Sequence, residues 1–240
     1  MVRTKLALLG LCVAMIGTMA MYASTAQGST LSWLILNSSH TIATELKAEL
    51  IGKIDSSSIK LDTEVAGLTP LVTCNAFAFT SLFFAAAGQF IAAGAILLSG
   101  CVLVNHKEEK YNCTVKTGGS AVGTIKTGEL KGGLVLVGSE LLMKLEPTLG
   151  PTGNFATMRF EGAECPLPES NQLHGTLYLK DAQGFATKHK LEHLLESASP
   201  TALYIGGHSA KQLEITKIQG SIWVLLGGEH KGLEWSAMDV

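Results

Sequence analysis

The sequence predicts an all-β fold: an antiparallel β-sandwich or irregular barrel of short strands, stapled by disulfides. Three observations predict it. Segments of four to six apolar or alternating residues recur between turn signals along the chain. Glycine is abundant, with 26 residues against 6 prolines, and it supplies turns and bulges. No predicted strand is followed by a convincing helix, so strand–helix–strand units are not expected.

The first 26 residues are typical of a secretory signal peptide. Arg3 and Lys5 precede an apolar stretch over residues 6–20, and small residues around Ala23 and Ala26 suit a cleavage site. That apolar stretch is too short for a comfortable membrane span. The sequence therefore predicts a secreted, extracellular or cell-envelope protein with one β-rich domain over residues 27–240. A sub-boundary near residues 146–153 stays open, because that proline- and glycine-containing segment suits either a linker or a long loop.

The charge of the mature chain argues against one class of partner. Without residues 1–26, which carry two basic and no acidic groups, 16 basic and 20 acidic residues remain, a formal charge of −4. The chain has no basic stripe, so the sequence predicts no nucleic-acid partner.

Strand patterns begin directly after the signal. Residues 31–36, 58–63 and 71–74 are predicted strands, whereas residues 41–54 fit helical and strand spacing equally well. Residues 118–123 are a glycine loop that we interpret as a hairpin turn. Further strands are predicted at residues 113–116, 123–127, 134–138, 157–160, 175–179, 213–218 and 222–226.

Residues 75–104 are an uncharged run with two interpretations. As a helix, the run exceeds the roughly 20 residues that cross a bilayer, and it would anchor a membrane-attached surface protein. As two strands, it is a buried hairpin that turns at Gly88 and Gln89, with apolar residues such as Phe77 and Leu98 on either side. The hairpin is the preferred interpretation, because the pattern around the run is that of strands.

Four cysteines follow the signal: Cys74, Cys101, Cys113 and Cys165. An even number in an exported chain predicts two disulfides, with three possible connectivities. We favour Cys101–Cys113, because that bridge would close the charged loop at residues 105–110; Cys74–Cys165 is then the second bridge. The spacings fit no zinc template, so no metal or other cofactor is predicted.

Several short motifs of the mature chain occur in an order typical of one family. They lie at residues 33–38, 67–74, 99–101, 113–115, 123–134 and 155–160. In these motifs the chain resembles a family of uncharacterised secreted bacterial proteins with a signal peptide and four spaced cysteines. The resemblance covers most of the mature chain and implies an exported all-β protein, but it brings no activity, substrate or site residues.

Two polar clusters resemble catalytic motifs. His189, Glu192 and His193 match H-x-x-E-H, which on a helix would hold zinc and let the glutamate activate a bound water. On a strand, His193 and Glu192 would face opposite sides, and the motif would be structural. His208 and Ser209 lie in a glycine turn that lacks the G-x-S-x-G order of a serine nucleophile.

Five aromatic residues allow a sugar-binding face, although aromatic residues in strands more often belong to the core. These residues are Trp33, Tyr178, Tyr204, Trp223 and Trp235. The sequence thus predicts an exported structural or binding protein that is not an enzyme and whose candidate contact is the cell envelope or a carbohydrate. A secreted hydrolase that uses the polar clusters is the weaker alternative.

Overall fold

A computed structural model describes residues 31–37, 39, 47–55, 58–63, 71–85, 90–91, 94–167, 169–180, 184–193, 202–206 and 212–239. These residues form β-strands and one short 3-10 turn at Gly228–His230, which confirms the all-β prediction. The strands are β1 (Leu31–Ile35), β2 (Lys47–Ile54), β3 (Ile59–Thr63), β4 (Leu71–Cys74), β5 (Ala76–Thr80), β6 (Phe83–Ala85), β7 (Phe90–Ile91), β8 (Ala95–Ser99), β9 (Val102–Val104), β10 (Thr114–Thr117), β11 (Thr124–Lys126), β12 (Leu130–Val137), β13 (Glu140–Pro147), β14 (Asn154–Glu161), β15 (Ser170–Lys180), β16 (Lys188–His193), β17 (Ala202–Gly206), β18 (Gln212–Gln219), β19 (Ser221–Leu226) and β20 (Trp235–Asp239).

Residues 41–54, whose sequence fits helical and strand spacing equally well, form a strand where the structure describes them. In β2, Ala48 and Leu50 are buried while Glu49 between them is exposed. This alternation is the period of a strand with one face in the core. Residues 41–46 lie outside the described residues.

Sheet 1 is a curled antiparallel sheet in the order β12–β13–β15–β16–β19–β2. The first residues of β2 continue the pairing to β6, which in turn pairs with β7. The backbone N–H of Leu130, at the start of β12, donates to the carbonyl of Gly94, 2.8 Å away. This bond links the chain just after β7 to the opposite edge of sheet 1, so the sheet curls towards closure as a half-barrel.

Sheet 2 runs in the order β5–β8–β11–β10–β14–β15–β17–β18–β3–β4–β9. The two ends of this order belong to one hairpin, because β4 leads directly into β5 and β8 leads directly into β9. The long strand β15 belongs to both sheets: its first half pairs with β14 and β17, and its second half pairs with β13 and β16. Gly175 lies near the change of partners with φ +118°, a backbone conformation that favours glycine.

Where the structure describes the uncharged run at residues 75–104, the run forms strands, as the hairpin interpretation predicts. Phe77 pairs with Leu98, and further along the same hairpin Phe84 pairs with Phe90. The predicted turn at Gly88 and Gln89 lies outside the described residues. Within the described part of the chain, no helix has the length and apolar character that a membrane span requires.

Strands β1 and β20 form a separate two-stranded ribbon whose aromatic residues enter the core. Trp33 of β1 and Trp235 of β20 have no exposed surface. Trp33 stacks on Phe84 of β6 with ring centroids 4.0 Å apart, and the centroids of Phe84 and Trp235 are 5.0 Å apart. Ala186 exchanges two backbone hydrogen bonds with Trp235 and so fixes the ribbon to the segment before β16. The ribbon is therefore held by packing and by backbone pairing.

Two loop predictions have different outcomes. Residues 118–123 do not make a hairpin turn, because β10 and β11 on either side run parallel and meet only at Lys116 and Thr124. Residues 146–153 comprise the end of β13 and the turn into β14. This turn is closed by hydrogen bonds from Gly150 N–H to the Pro147 carbonyl and from Gly153 N–H to the Gly150 carbonyl.

All four cysteines after residue 26 form disulfides, but the favoured pairing was wrong: the bridges are Cys74–Cys101 and Cys113–Cys165. Cys74 and Cys101 lie opposite each other in the hairpin, with their Cα atoms 4.0 Å apart. They stand between the pairs Thr73–Val102 and Ala76–Ser99. The strand register therefore decides this pairing.

The second bridge extends the ladder of β10 and β14. Cys113 directly precedes β10, whose Thr114 pairs with Glu161 at the end of β14, and Cys165 lies in the turn that follows. The loop at residues 105–110 needs no covalent closure, because backbone and side-chain hydrogen bonds close it. Asn105 N–H donates to the Glu109 carbonyl, and the Asn105 side-chain oxygen accepts from two loop amides.

Candidate functional site

His189, the first residue of the H-x-x-E-H motif, is a core residue. It lies on β16 with 2% of its surface exposed. Its Nε2 is 2.7 Å from the carbonyl oxygen of Trp235, and its ring packs against the Trp235 indole with centroids 4.1 Å apart. For this hydrogen bond the imidazole must carry a proton on Nε2. His189 thus ties sheet 1 to the ribbon of β1 and β20.

The rest of the motif lacks the geometry of the zinc-protease signature, because its backbone is a strand. Strand residues rise about 3.3 Å each, so the Cα atoms of His189 and His193 are about 13 Å apart. Two ligands of one zinc ion need their nitrogens about 2.0–2.1 Å from the metal, which a helical i, i+4 pair allows and this spacing does not. The side chains of Glu192 and His193, and all of His208 and Ser209, lie outside the described residues.

Metal-binding geometry is also missing elsewhere in the described ranges. Among those residues, no group of three or more histidine, cysteine, aspartate or glutamate side chains is placed to hold a metal ion.

Sequence reasoning missed a polar cluster at the edge of the core, where β2 ends and β19 begins. Asp55, just after β2, accepts hydrogen bonds from Ser221 Oγ at 2.9 Å and from Lys190 Nζ at 3.1 Å. The bond from Lys190 and, after it, the bond from Ser221 lower the pKa of the Asp55 carboxyl below its ordinary value. These residues are far apart in the sequence, and no motif marks them.

The chemistry of this cluster is that of a structural contact. Ser221 donates its hydroxyl proton to a carboxylate that its neighbours have made a weaker base, and a weak base does not activate a serine nucleophile. Lys190 is held as a cation by the same carboxylate. The cluster therefore joins β2, β16 and β19, and it offers no activated nucleophile.

A second ion pair joins the loop at residues 105–110 to sheet 2. Lys60 of β3 forms a hydrogen-bonded ion pair with Glu108. This contact lowers the pKa of the Glu108 carboxyl. The ammonium group of Lys60 and the carboxylate of Glu108 thus form a structural contact between a strand and a loop.

The five aromatic residues of the suggested sugar-binding face do not come together. Trp33 and Trp235 are in the core. Trp223 lies on the outer face of sheet 1, where Lys188 Nζ is 4.3 Å from its ring centroid. Tyr178 is on β15, where it lies opposite Lys144 of β13. Strand β16 separates β15 from β19, which carries Trp223, so Tyr178 and Trp223 are roughly 10 Å or more apart. The side chain of Tyr204 lies outside the described residues.

An open groove runs beside β20, at the end of the ribbon. Its volume is about 400 Å³. Three of its lining residues, Leu136, Phe185 and Met238, are large apolar side chains with more than a third of their surface exposed. The groove thus combines exposed apolar side chains with the polar residues Ser139, Ser236 and Asp239.

The second concave feature is a cavity of about 90 Å³ in the core. Residues of sheet 2, including Ile96, Phe155 and Leu173, form most of its wall, and Leu191 and Ile222 of sheet 1 complete it. Almost all of the wall is apolar. The sequence patterns predict that these strand positions are buried, but they do not show that the side chains leave a space.

Comparisons of the chain with protein-family models, with curated proteins and with solved structures found no match. The site and fold therefore define the protein as an all-β protein with two disulfides and an apolar cavity. The resemblance to a family of secreted bacterial proteins stays a prediction.

Proposed function

We propose that this chain is an exported, non-catalytic binding or structural protein that acts at or beyond the cell surface. The two disulfides carry the proposal, because bridges of this kind form and persist in oxidising compartments and are rare in the reducing cytosol. They leave no free cysteine in the chain after residue 26. The predicted signal peptide over residues 1–26 agrees with the same compartment.

The geometry of the polar residues supports a role without catalysis. His189 is buried and bonded to a backbone carbonyl, so it has no access to a substrate. Ser221 donates to a carboxylate with a lowered pKa. The features that remain are an apolar cavity and an open groove of mixed polarity, and apolar pockets with few polar groups are typical of binding sites.

The export part of the proposal is tested by following the full-length chain in a secreting host. We expect the protein outside the cytoplasm, with a new N-terminus near residue 27 and without reactive thiols. A full-length, reduced protein in the cytoplasm would contradict the proposal. Carbonate extraction of the membrane fraction separates the membrane-attached alternative, since an anchored protein would stay with the membranes.

The non-catalytic part is tested on the purified mature protein. We expect no hydrolysis of generic ester or peptide substrates and no stoichiometric zinc by elemental analysis. Hydrolysis that is abolished by His193→Ala or by Ser209→Ala would instead establish the hydrolase. His189→Ala is a poor test, because this substitution is expected to damage the core.

A further inference from the structure

The cavity of about 90 Å³ lies where sheet 2 returns to its first hairpin. Its wall combines β3, β5 and β8 of that region with β14 and β15 across the core, and β16 and β19 of sheet 1 complete it. Closely packed cores contain few voids larger than a water molecule, whose share of liquid volume is about 30 Å³. The space is therefore larger than ordinary packing leaves.

The polar groups in the wall have their hydrogen bonds satisfied within the protein. Thr127 Oγ1 accepts from Ile96 N–H at 2.8 Å and donates to the Gly128 carbonyl at 2.9 Å. Ser221 Oγ donates to Asp55. An occupant with a buried polar group would lose its bonds to water and find few replacements, which is unfavourable. The chemistry of the wall therefore selects an uncharged, apolar occupant.

Part of the wall is accessible to solvent. Four wall residues are half-buried: Ile59, Phe77, Leu177 and Gly220. Other wall residues, such as Met158 and Leu191, have almost no exposed surface. The wall of the cavity is thus half-buried in part and fully buried in part.

We propose that this cavity is a binding site for a small uncharged apolar group, either a short alkyl chain or a single aromatic ring, an inference that rests on the proposed binding function. The volume sets an upper limit on the size, because about 90 Å³ is less than the roughly 150 Å³ of a closed apolar cavity that accepts benzene or xenon, and drug-sized ligands occupy roughly 300 Å³ or more. A group no larger than one ring enters as a small molecule or as the end of a longer one whose remainder stays outside the cavity.

The test uses xenon, benzene and 1-hexanol as separate probes on the mature, disulfide-bonded protein. Binding is followed by the NMR shifts of the methyl groups of Ile96, Ile125 and Leu173, and by urea unfolding. For a probe at ten times its Kd, we expect the unfolding equilibrium constant to fall about tenfold. Benzene alone would identify the ring as the preferred group, and 1-hexanol alone would identify the alkyl chain.

The control is a substitution that fills the cavity. Ala156 is fully buried in the wall, so Ala156→Leu places three more carbons in the space and should abolish the effect of every probe. Ala121→Leu is the matched control: the same change at an exposed loop position should leave the effect unchanged. If Ala156→Leu does not fold, Leu173→Ala replaces it, since this substitution removes three carbons from the wall, leaves a larger cavity and should tighten the binding of benzene.

Three results would overturn the proposal: wild type that responds to no probe, Ala156→Leu that responds like wild type, or Leu173→Ala that binds benzene no better than wild type. The second result would mean that the probes bind at another surface, such as the groove beside β20. Each leaves the export and thiol experiments unaffected, whereas a reduced cytoplasmic protein would contradict the proposed function whatever the cavity binds.

Discussion

Replacing Cys74 and Cys101 together by alanine should remove one disulfide and leave the other intact. The two residues are 27 positions apart, and a bridge over a loop of that length stabilises a protein by about 3.5 kcal/mol in the chain-entropy model. Alanine is the suitable replacement because the two positions are 1% and 3% exposed, and serine would bury hydroxyl groups there. We therefore expect the free energy of unfolding to fall by about 3–4 kcal/mol.

The assay combines urea unfolding with a count of reactive thiols in the denatured, non-reduced variant. In the chain without residues 1–26, which contain Cys12, the observed pairing predicts no reactive thiol, because Cys113 and Cys165 remain bonded to each other. If Cys101 were bonded to Cys113 and Cys74 to Cys165, the same double substitution would release two thiols. Two reactive thiols per chain would therefore refute the pairing. An unfolding free energy within about 1 kcal/mol of wild type would refute the estimate of its contribution.

Three further predictions concern packing, backbone strain and charge. Phe84→Ala should lower the unfolding free energy by about 3–5 kcal/mol in urea titrations, and Phe185→Ala, at a 37% exposed position, by less than about 1 kcal/mol. Gly162→Ala, where φ is +144° and a new Cβ would overlap a backbone carbonyl, should destabilise the protein more than Gly138→Ala, which has a positive φ but open space. Asp55→Asn should destabilise the protein at pH 7 and have no effect in strong acid. The pKa of Asp55 is lowered in the folded state, so its contribution is present above the ordinary value of 3.8 and is lost as the pH falls through the folded value. If Asp55→Asn lowered the free energy of unfolding equally at pH 7 and in strong acid, that reasoning would be contradicted.

The sequence predicts the hairpin around residues 75–104 because the signal for it is local. Apolar residues on both sides of a central glycine suit two buried strands, and the structure pairs Phe77 with Leu98. The same hairpin contains the information that the disulfide prediction lacked. Cys74 and Cys101 are nearly equidistant from its centre, so antiparallel pairing brings them opposite each other. Preference for the short loop at residues 105–110 led to the wrong pairing, because it ignored strand register.

The candidate site was less accessible to sequence reasoning. For H-x-x-E-H, the helical and strand interpretations give opposite chemistry, and only the strand pairing of β16 with β19 selects between them. The cluster of Asp55, Lys190 and Ser221 comes from three strands that are distant in the sequence, so no spacing rule could assemble it. The apolar wall positions are visible as strand patterns. The cavity is not, because its volume is the small difference between the space that the strands surround and the volume of the side chains that fill this space.

The sequence by itself determined the all-β class, the positions of most strands and the participation of all four cysteines after residue 26 in disulfides, because these depend on local residue patterns and on an even count. The tertiary structure alone decided which cysteines pair, that His189 belongs to the core, and that the core encloses a cavity of about 90 Å³. The physical reason is that register and packing depend on which strands become neighbours. In this chain β2 pairs with β19, and β3 pairs with β18, although these partners are far apart in the sequence.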